Sequence, residues 1–322
     1  MNLWFLGTGA GRPNKHRNVT SVALQLPSDA GWWLFDAGEA TQHQLMKIPQ
    51  LKLNRLSAVF ITHLHGDHLY GLPGLLSSRS FDGGITPLKL IGPAGVRTYI
   101  ETVFGLTGTS LDYELAIEEL SGLPAEVHVD GPLSVEAGML EHRIPCYGYR
   151  VSERDAPGPL LADKLPALGL KAGPSYGLLK QGCPVETEDG TVIRPEDVTD
   201  GVYKGRIVTI LGDTSPCREA VRLAKDADVL VHEATFAAGL EDKAHEFGHS
   251  TTVEAARAAA DAGARRLVMT HFSGRYDNEA LLRLEAEART VFAAATAAAD
   301  LLRIDIERKH IPAAAGTIGE DR

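Results

Sequence analysis

Residues 62–68 read Thr-His-Leu-His-Gly-Asp-His, and this stretch carries the strongest chemical signal in the chain. It follows an apolar, partly β-branched run at residues 56–61, which predicts a buried strand. Gly66 can turn the backbone sharply in the middle of the stretch. The sequence therefore predicts a strand whose carboxyl end leads into a tight loop of potential metal ligands. These are His63, His65, Asp67 and His68.

The residue types in this loop suit a pair of divalent ions. Imidazole and carboxylate groups are ligands for borderline to hard ions, zinc above all. Alternate side chains of an extended segment share a face, so His63 and His65 can bind one ion. Asp67 and His68 follow the turn and point elsewhere, which favours a second ion; paired ions in such sites lie roughly 3.5–4 Å apart. The alternative is a solvated histidine-rich loop without a metal. It does not explain why the preceding strand, the spacing of the ligands and the turn at Gly66 all favour a metal site.

Length and composition place the chain among globular proteins. Its 322 residues, 44% of them hydrophobic and 23% charged, are enough for one large domain or two modest ones. The net charge of −10 means that an RNA partner would need a local basic patch. Three cysteines without zinc-type spacing favour a reduced, cytoplasmic setting. We expect neither a signal peptide nor a membrane span, because the N-terminal apolar run is short and no run reaches about 18 apolar residues.

Further candidate ligands follow other predicted strands. Asp213 follows residues 206–211, Glu233 follows residues 229–231, and His271 follows residues 267–269. Ligands commonly gather at the carboxyl ends of strands in α/β proteins. Taken alone, Asp213 could belong to an ordinary Gly-Asp-Thr turn, and His142 could be a surface histidine. Residues 253–262 predict a helix that Ser250 or Thr251 caps and Gly263 ends, and residues 278–298 predict a longer helix.

Residues 152–180 change character. They contain many prolines and glycines, which favours a protruding arm or a disordered insert. Recurring leucines suggest a small self-packed knob rather than disorder. The charges of this segment nearly cancel: Arg154, Lys164, Lys171 and Lys180 stand against Glu153, Asp155 and Asp163.

Taken together, the motifs resemble ribonuclease Z, the tRNA 3′-processing endonuclease family of the metallo-β-lactamase superfamily. The His-x-His-x-Asp-His stretch indicates only the superfamily; the other motifs, in the same order along nearly the whole chain, make the resemblance specific. They are Pro-Asn-Lys-His-Arg-Asn at 13–18, Lys-Ala-Gly-Pro-Ser-Tyr-Gly at 171–177, His-Glu-Ala-Thr at 232–235, His-Ser-Thr at 249–251 and His-Phe-Ser-Gly-Arg-Tyr at 271–276.

This resemblance implies a single α/β domain over residues 1–322, an αββα sandwich of two face-to-face sheets with helices outside. It also implies a flexible arm at 152–180 that serves as a tRNA exosite. The expected activity is removal of the 3′ trailer from precursor tRNA, leaving a 3′ hydroxyl, by a homodimer in which the arm of one subunit holds the tRNA that the other cuts. Two zinc ions per subunit are expected: one on His63, His65 and His142, one on Asp67, His68 and His271, with Asp213 bridging them.

Catalytic and substrate-binding roles complete this hypothesis. Asp67 can orient or deprotonate the attacking water, and we infer that His249 protonates the leaving oxygen while Glu233 orients His249. The resemblance points to further residues that contact the RNA, although Arg17 and Arg275 could instead form ordinary salt bridges. These residues are Lys15, Arg17, Asn18, Gly173, Pro174, Arg275 and Tyr276. We interpret His43, His232 and His245 as structural or surface residues.

Two other classes of function remain open at this point. A metal-dependent hydrolase of small molecules, such as an arylsulfatase-like enzyme or a cyclic phosphodiesterase, would use the same ligands but has no need of the arm. A binding module on an inactive hydrolase fold is the third alternative, and the intact ligand set argues against it.

Overall fold

The computed structural model describes residues 1–27, 30–121, 125–127, 129 and 133–313. The chain divides into two compact units. The large unit comprises Met1–Val129, Ser134–Val151 and Ile207–Ile306, and the small unit comprises Asp130–Leu133, Ser152–Arg206 and Glu307–Arg322. No described helix is long and apolar enough to cross a membrane.

A seven-stranded mixed sheet forms one half of the large unit. Its central strands are almost entirely buried, as expected for continuous apolar runs such as Trp-Trp-Leu-Phe at 32–35. The strands at residues 32–35, 56–60, 88–93 and 115–120 run parallel to one another, while the other pairs are antiparallel. In spatial order the strands are β20 (Arg303–Asp305), β1 (Asn2–Gly7), β3 (Ser21–Gln25), β4 (Trp32–Phe35), β5 (Leu56–Phe60), β6 (Leu88–Pro93) and β7 (Leu115–Leu120).

A second seven-stranded sheet forms the other half. Its spatial order is β19 (Ala295–Ala297), β17 (Leu267–Thr270), β16 (Val229–Glu233), β15 (Ile207–Ile210), β10 (Cys146–Glu153), β9 (Leu133–Leu140) and β8 (Ala125–Val127). A short parallel pair, β2 (Gly9–Ala10) with β18 (Phe272–Ser273), lies beside them. The two large sheets meet through Tyr149, whose ring contacts Phe35 and Phe60 and whose hydroxyl donates to the Ile61 carbonyl at 2.7 Å.

Helices cover the outer face of each large sheet. One hydrophobic core joins the first sheet to the helices at residues 72–81 and 96–107, through Leu72, Leu75 and Ile100. Another joins the second sheet to the helices at residues 252–261 and 278–289, through Ala256 and Leu284. The predicted αββα sandwich is therefore confirmed. The helices of the large unit are α1 (Thr41–Leu45), α2 (Gly66–Leu69), α3 (Leu72–Phe81), α4 (Val96–Thr107), α7 (Arg218–Leu223), α8 (Glu241–Glu246), α9 (Thr252–Asp261) and α10 (Asn278–Arg289), with a 3-10 turn at Leu53–Arg55.

Two predicted helices of the large unit had different outcomes. Thr251, one of the two predicted caps, caps α9 by accepting a hydrogen bond from the Glu254 amide. The Glu254 side chain bonds back to the cap and completes a capping box, which the sequence analysis did not single out. The predicted helix over residues 278–298 is wrong at its end, because α10 stops at Arg289 and Ala295–Ala297 forms edge strand β19. Alanine-rich composition favours a helix, but parallel pairing with β17 outweighs that weak preference.

The small unit has its own sheet and its own hydrophobic core. The core contains Leu165 and Leu179, so the expected self-packing of the leucines is observed, but it also takes Val185, Ile193 and Val198 from the chain beyond residue 180. The elements are β11 (Ala156–Pro157), α5 (Pro174–Lys180), β12 (Val185–Glu186), β13 (Val192–Ile193), α6 (Pro195–Val198), β14 (Val202–Lys204) and β21 (Lys309–Ile311), with 3-10 turns at Ala162–Lys164 and Pro166–Leu168. The flexibility and the exosite role of residues 152–180 stay predictions.

Candidate metal centre

The large unit brings all seven candidate ligands together. Strand β5 leads to His63 and His65, Asp67 and His68 lie in α2, His142 lies between β9 and β10, and β15 and β17 lead to Asp213 and His271. Their donor atoms form compact groups in which every atom lies within 4.8 Å of the others. One group is His63, His65, His142 and Asp213, and another is Asp67, His68 and His271.

Asp213 lies between the two groups. Its Oδ2 atom is 3.7 Å from Nε2 of His63, 3.5 Å from Nε2 of His68 and 3.3 Å from Nε2 of His271. The residue is buried, and the imidazoles around it hold the pKa of its carboxyl group well below the usual value although burial alone raises it. A carboxylate in this position can serve both groups at once.

Hydrogen bonds at the far side of two imidazoles fix their orientation. His68 Nδ1 is 2.8 Å from Asp36 Oδ2, and His63 Nδ1 is 3.0 Å from Thr62 Oγ1. The Thr62 hydroxyl itself donates to Asp36 Oδ2 at 2.8 Å, which leaves its oxygen free to accept from His63. Asp36 thus orients both histidines, one directly and one through Thr62.

Two further imidazoles are held in the same way. His142 Nδ1 is 2.7 Å from the Gly248 carbonyl oxygen, and His271 Nδ1 is 2.8 Å from Thr235 Oγ1. A carbonyl can only accept, so His142 carries its proton on Nδ1 and presents the Nε2 lone pair. That lone pair lies 3.2 Å from His65 Nδ1, which is itself 2.9 Å from His63 Nε2. Three ring nitrogens that converge in this way beside Asp213 can bind one cation together, so the donor set fits divalent metal ions.

The electrostatics of the centre agree with a bound positive charge. Burial lowers the pKa of His63 well below its usual value, which keeps that imidazole a neutral donor. Burial also opposes protonation of His68, but Asp213 and Asp36 hold its pKa well above the usual value. Burial raises the pKa of Asp67, but the hydrogen bond with His271 and the charges of His68 and His271 together outweigh it and keep the carboxyl group ionised. Cationic charge is therefore favoured between these residues.

His249 and Glu233 form a pair at the edge of the centre. His249 Nδ1 is 2.9 Å from Glu233 Oε1 and 3.8 Å from Asp213 Oδ2. Glu233 is buried and also accepts hydrogen bonds from the amides of Ser250 and Thr235 and from the Thr235 hydroxyl. Burial lowers the pKa of His249, but Glu233 outweighs this and raises it to about 9. His249 also forms a donor group with Asp213 and His271, so it lies within reach of the same centre.

The predicted RNA-contacting residues have different surroundings. Lys15 is exposed, whereas Arg17 is buried and donates a hydrogen bond to the Tyr276 carbonyl. The Asn18 side chain donates to the Glu39 carbonyl at 2.8 Å. Tyr276 accepts a hydrogen bond at its hydroxyl from the Ala237 amide. Its hydroxyl is thus engaged within the fold.

Two other parts of the predicted contact set lie apart from this loop. The guanidinium of Arg275 lies 5.1 Å from the ring centre of Phe236, and the Phe236 ring centre is 6.2 Å from that of His249, so Arg275 is close to the metal centre. Gly173 and Pro174 begin α5 in the small unit.

Sequence interpretation missed the residues that orient the ligands. Asp36, Thr62 and Thr235 were not singled out, although Asp36 directly follows β4 in the way that the other ligands follow their strands. That shared strand-end position was the available signal. Thr235 had no such signal, because its role depends on a hydrogen bond to His271, which is distant in sequence. His232 is buried with Nδ1 at 2.7 Å from the Glu233 carbonyl oxygen, as a structural residue would be.

Family models match two parts of the chain. Residues 198–272 match the model described as the beta-lactamase superfamily domain. Residues 1–105 match a model described as anti-Pycsar protein Apyc1. Each match covers less than half of the chain, so longer alignments are needed to identify the family.

Full-length relatives provide that evidence. Ribonuclease Z of Geobacillus kaustophilus is 53% identical over 309 residues, which cover 96% of this chain and 100% of the relative. Ribonuclease Z of Anoxybacillus flavithermus is 49% identical, over 96% of this chain and 98% of the relative. The crystal structure of the human short-form tRNase Z is 32% identical and superimposes with a TM-score of 0.69, covering 95% of this chain and 100% of that one. The chain belongs to the ribonuclease Z family of the metallo-β-lactamase superfamily.

Proposed function

We propose that this chain is a zinc-dependent endoribonuclease that removes the 3′ trailer from precursor tRNA and leaves a 3′ hydroxyl. The observation that carries the proposal is the pair of donor groups that share Asp213, with His249 and Glu233 beside them. The alignment of nearly the whole chain with ribonuclease Z relatives supports the choice of precursor tRNA as the substrate class.

The donor set is suited to two zinc ions. One would be held by His63, His65 and His142, the other by Asp67, His68 and His271, with Asp213 shared between them. When bound, zinc neutralises charge on the phosphodiester and lowers the pKa of water at the site. The protein's own contribution is to hold the imidazoles in fixed orientations through Asp36, Thr62, Thr235 and the Gly248 carbonyl.

Asp67 and His249 are proposed to move the protons of the reaction. Asp67 is held by the Gly11 amide, which donates to its Oδ2 at 2.6 Å, and it orients the attacking water and accepts its proton. The water oxygen forms a bond to phosphorus, and the bond between phosphorus and the ribose O3′ breaks. His249 donates a proton to that O3′, while Glu233 holds its Nδ1. The products are a 3′ hydroxyl on the tRNA and a 5′ phosphate on the trailer.

Substrate contacts are proposed on both units. Lys15, Arg17 and Asn18 would grip the RNA near the cleaved bond, and Arg275 and Tyr276 would contact phosphate or a base. The small unit would hold the tRNA body through the segment at Gly173 and Pro174. Because that segment is nearly neutral, shape and hydrogen bonding would contribute more there than bulk charge.

A homodimer is proposed as the working assembly. Large apolar side chains are exposed on and after α1 and α3: Met46 at 76%, Phe81 at 88% and Ile85 at 73% of their surface. Met46 and Asp82, the neighbour of Phe81, line one groove of about 520 Å³. Exposed apolar side chains of this size favour association, and a second copy of this chain is the occupant that the proposed division of labour requires.

The direct test is cleavage of a trailer-bearing precursor tRNA, with both product ends sequenced and zinc measured by elemental analysis. We expect a mature 3′ hydroxyl, a 5′ phosphate on the trailer and two zinc ions per chain. Asp67→Ala should abolish cleavage with the fold intact, and His249→Ala should slow turnover with less loss of zinc. Full activity of His249→Ala across the pH range would contradict its role, and cleavage of small phosphodiesters alone would favour a small-molecule hydrolase.

A further inference from the structure

A cavity of about 410 Å³ lies in the large unit beside the loop at residues 14–18. His43 of α1, Lys47 just beyond its end, and the chain at Asp300 and Leu301 complete its lining. This cavity is distinct from the group of metal ligands, since none of the seven lines it.

The lining of the cavity is cationic. Lys15, Arg17 and Lys47 each carry a positive charge, and Asp300 is the single carboxylate among the lining residues. Asp300 is already saturated: it accepts hydrogen bonds from the Thr8 hydroxyl, the Asn18 amide and the Gln44 side chain, at 2.8, 2.7 and 2.7 Å. In a chain of net charge −10, this local excess of positive charge is a feature that calls for an anionic ligand.

Arg17 gives an independent indication of an anion. It is only 3% exposed, and within the described part of the chain its Nε and Nη1 atoms are buried without a hydrogen-bond partner. A buried guanidinium with unpaired donors is costly, and a nearby anion would reduce that cost through its charge. Asp300 and Asp277 act on Arg17 through their charge, but within the described residues its Nε and Nη1 donors stay without hydrogen-bond partners in the lining of a cationic cavity.

The contacts of Lys47 hold it at this cavity. Its ammonium group donates to Gln44 Oε1 at 2.7 Å, and the Gln44 amide nitrogen in turn donates to Asp300 Oδ2. Lys47 and His43 are both exposed, so their polar atoms are accessible to a ligand. The Lys47 ammonium group is thus held in place by the neutral Gln44 side chain, and its positive charge remains available to a ligand.

Short connections join the cavity to the metal centre. The Asn18 side chain, which lines the cavity, donates to the Glu39 carbonyl, and Ala37 donates through its amide to the His68 carbonyl at 2.8 Å. Gly11, at the start of the same loop, donates to Asp67. These contacts link the loop at 14–18 to the segment that carries Asp67 and His68.

We propose that this cavity binds a phosphate group of the RNA substrate, and that His43 of α1 and Lys47, which follows α1, contact that phosphate together with the loop at 14–18. The inference rests on the proposed function and extends it to residues outside the loop. A phosphate matches the charge, and a fixed contact of this kind sets the position of the strand relative to the centre without reading its sequence.

The test compares Lys47→Ala, His43→Ala and their combination with Lys225→Ala, an exposed lysine outside the cavity, as the matched control. We expect Lys47→Ala to raise KM for precursor tRNA about 5- to 10-fold, to leave kcat within about twofold, and to reduce the slope of log KM against log salt by about one. Lys47→Arg should retain most of the affinity. Hydrolysis of bis(p-nitrophenyl) phosphate should be unchanged in every variant.

The outcomes separate this inference from the function on which it rests. Unchanged KM and salt slope in Lys47→Ala and in the double variant, with active wild-type protein, would overturn the phosphate site alone. An equal effect of Lys225→Ala would also overturn it, because the effect would then reflect net charge. Wild-type protein that does not cleave precursor tRNA would overturn both.

Discussion

Two residues of the metal centre have left-handed backbone conformations, which residues other than glycine rarely adopt. The φ angles are 59° at Asp36 and 57° at His271. Each is held by its surroundings: the Asp36 amide donates to the Phe60 carbonyl, and the Thr235 hydroxyl lies 3.0 Å from the His271 carbonyl oxygen. Backbone strain of this kind persists at functional sites because it places a side chain in a position that a relaxed backbone would not give it.

Asp36→Asn tests whether orientation of the histidines sets metal affinity. Asparagine tolerates the left-handed backbone. Its side-chain nitrogen, however, would replace one of the two Asp36 oxygens and would face either the Thr62 amide or His68 Nδ1, so that one of these hydrogen bonds to Asp36 would be lost. We expect zinc affinity to fall roughly 10- to 100-fold with little change in secondary structure. Competition with a chromophoric chelator measures the affinity, and circular dichroism checks the fold.

Asp226→Asn is the matched control, since Asp226 also has a positive φ of 55° but lies outside the ligand groups. It should bind zinc like the wild type. Equal zinc affinity in Asp36→Asn and Asp226→Asn would show that Asp36 does not tune the centre.

At the scale of elements, a buried group of charged residues at Glu153, the last residue of β10, joins separate segments of the small unit. The fully buried Glu153 side chain accepts hydrogen bonds from Arg206 at 2.7 and 2.8 Å and from Arg308 at 2.6 and 3.1 Å. Burial raises the pKa of Glu153, but the two arginines outweigh it and lower the value to about 2. Arg206 thereby joins the end of β10 to the segment after β14, and Arg308 joins it to the segment before β21.

We predict that Glu153→Gln destabilises the fold at pH 7 and that the difference disappears in acid. The folded-state pKa of about 2 lies below the ordinary value of 4.5, so the stabilisation is present above pH 4.5 and is lost as pH falls toward 2. The cost at pH 7 should be about 3 kcal/mol, since one partner of a buried ion pair is removed. Urea unfolding at several pH values measures it.

Asp155→Asn is the control for this experiment, because its salt bridge to Lys204 is about half exposed. Exposed pairs contribute roughly 0–1 kcal/mol, so this variant should unfold nearly as the wild type does. A pH-independent loss in Glu153→Gln would mean that packing, and not the ionised carboxylate, stabilises this region.

The short sheet of the small unit allows a clean removal of the proposed exosite. Ala156 pairs with Tyr203 and Pro157 with Val202 in an antiparallel register, so Asn-Gly in place of residues 157–202 would close a two-residue hairpin. We expect hydrolysis of a small chromogenic phosphodiester to stay nearly unchanged, since the metal ligands lie in the large unit. Precursor-tRNA cleavage should drop by orders of magnitude.

The gentler variant is Lys171→Glu with Lys180→Glu, which changes two exposed residues and leaves the core around Leu165 and Leu179 intact. It should weaken tRNA cleavage in the same direction. Equal loss of both activities in the hairpin variant would indicate a structural role for the segment, and loss of neither would mean that the RNA is held elsewhere.

At the scale of the whole molecule, an acidic chain must bind a polyanion. With a net charge of −10, distant charges repel RNA, so affinity has to come from local cationic surface and from contacts spread over a large substrate. In the proposed dimer, a second subunit would supply such contacts without adding a basic domain. The exposed apolar side chains near α1 and α3 are consistent with that arrangement.

Phe81→Glu should convert the proposed dimer to a monomer, because it places a charge on an apolar side chain that is 88% exposed in the single chain. Light scattering at micromolar concentration measures the mass. Leu282→Glu, at a leucine that is 69% exposed on α10, is the control and should keep the wild-type mass. We expect the monomer to lose tRNA cleavage but not hydrolysis of a small phosphodiester, and a monomeric wild type would refute the dimer.

The sequence by itself determined the features that depend on neighbours along the chain. An apolar run followed by His63 to His68 is a strand leading into ligands, because strand periodicity and turn chemistry are local properties. Helix α9 was predictable from Thr251 and Glu254 for the same reason, since a capping box spans four residues. The order of later motifs then indicated the family, which the full-length relatives confirm.

The tertiary structure alone decided which distant residues meet. Asp36 and Thr235 became parts of the centre through hydrogen bonds to His68 and His271, and no local pattern encodes such contacts. Strand pairing ended α10 at Arg289, and the core of the small unit joined Leu165 and Leu179 to Val185 and Ile193 from beyond the predicted arm. Local propensity is worth less than about 1 kcal/mol per residue, so packing and long-range hydrogen bonds decide wherever they conflict with it.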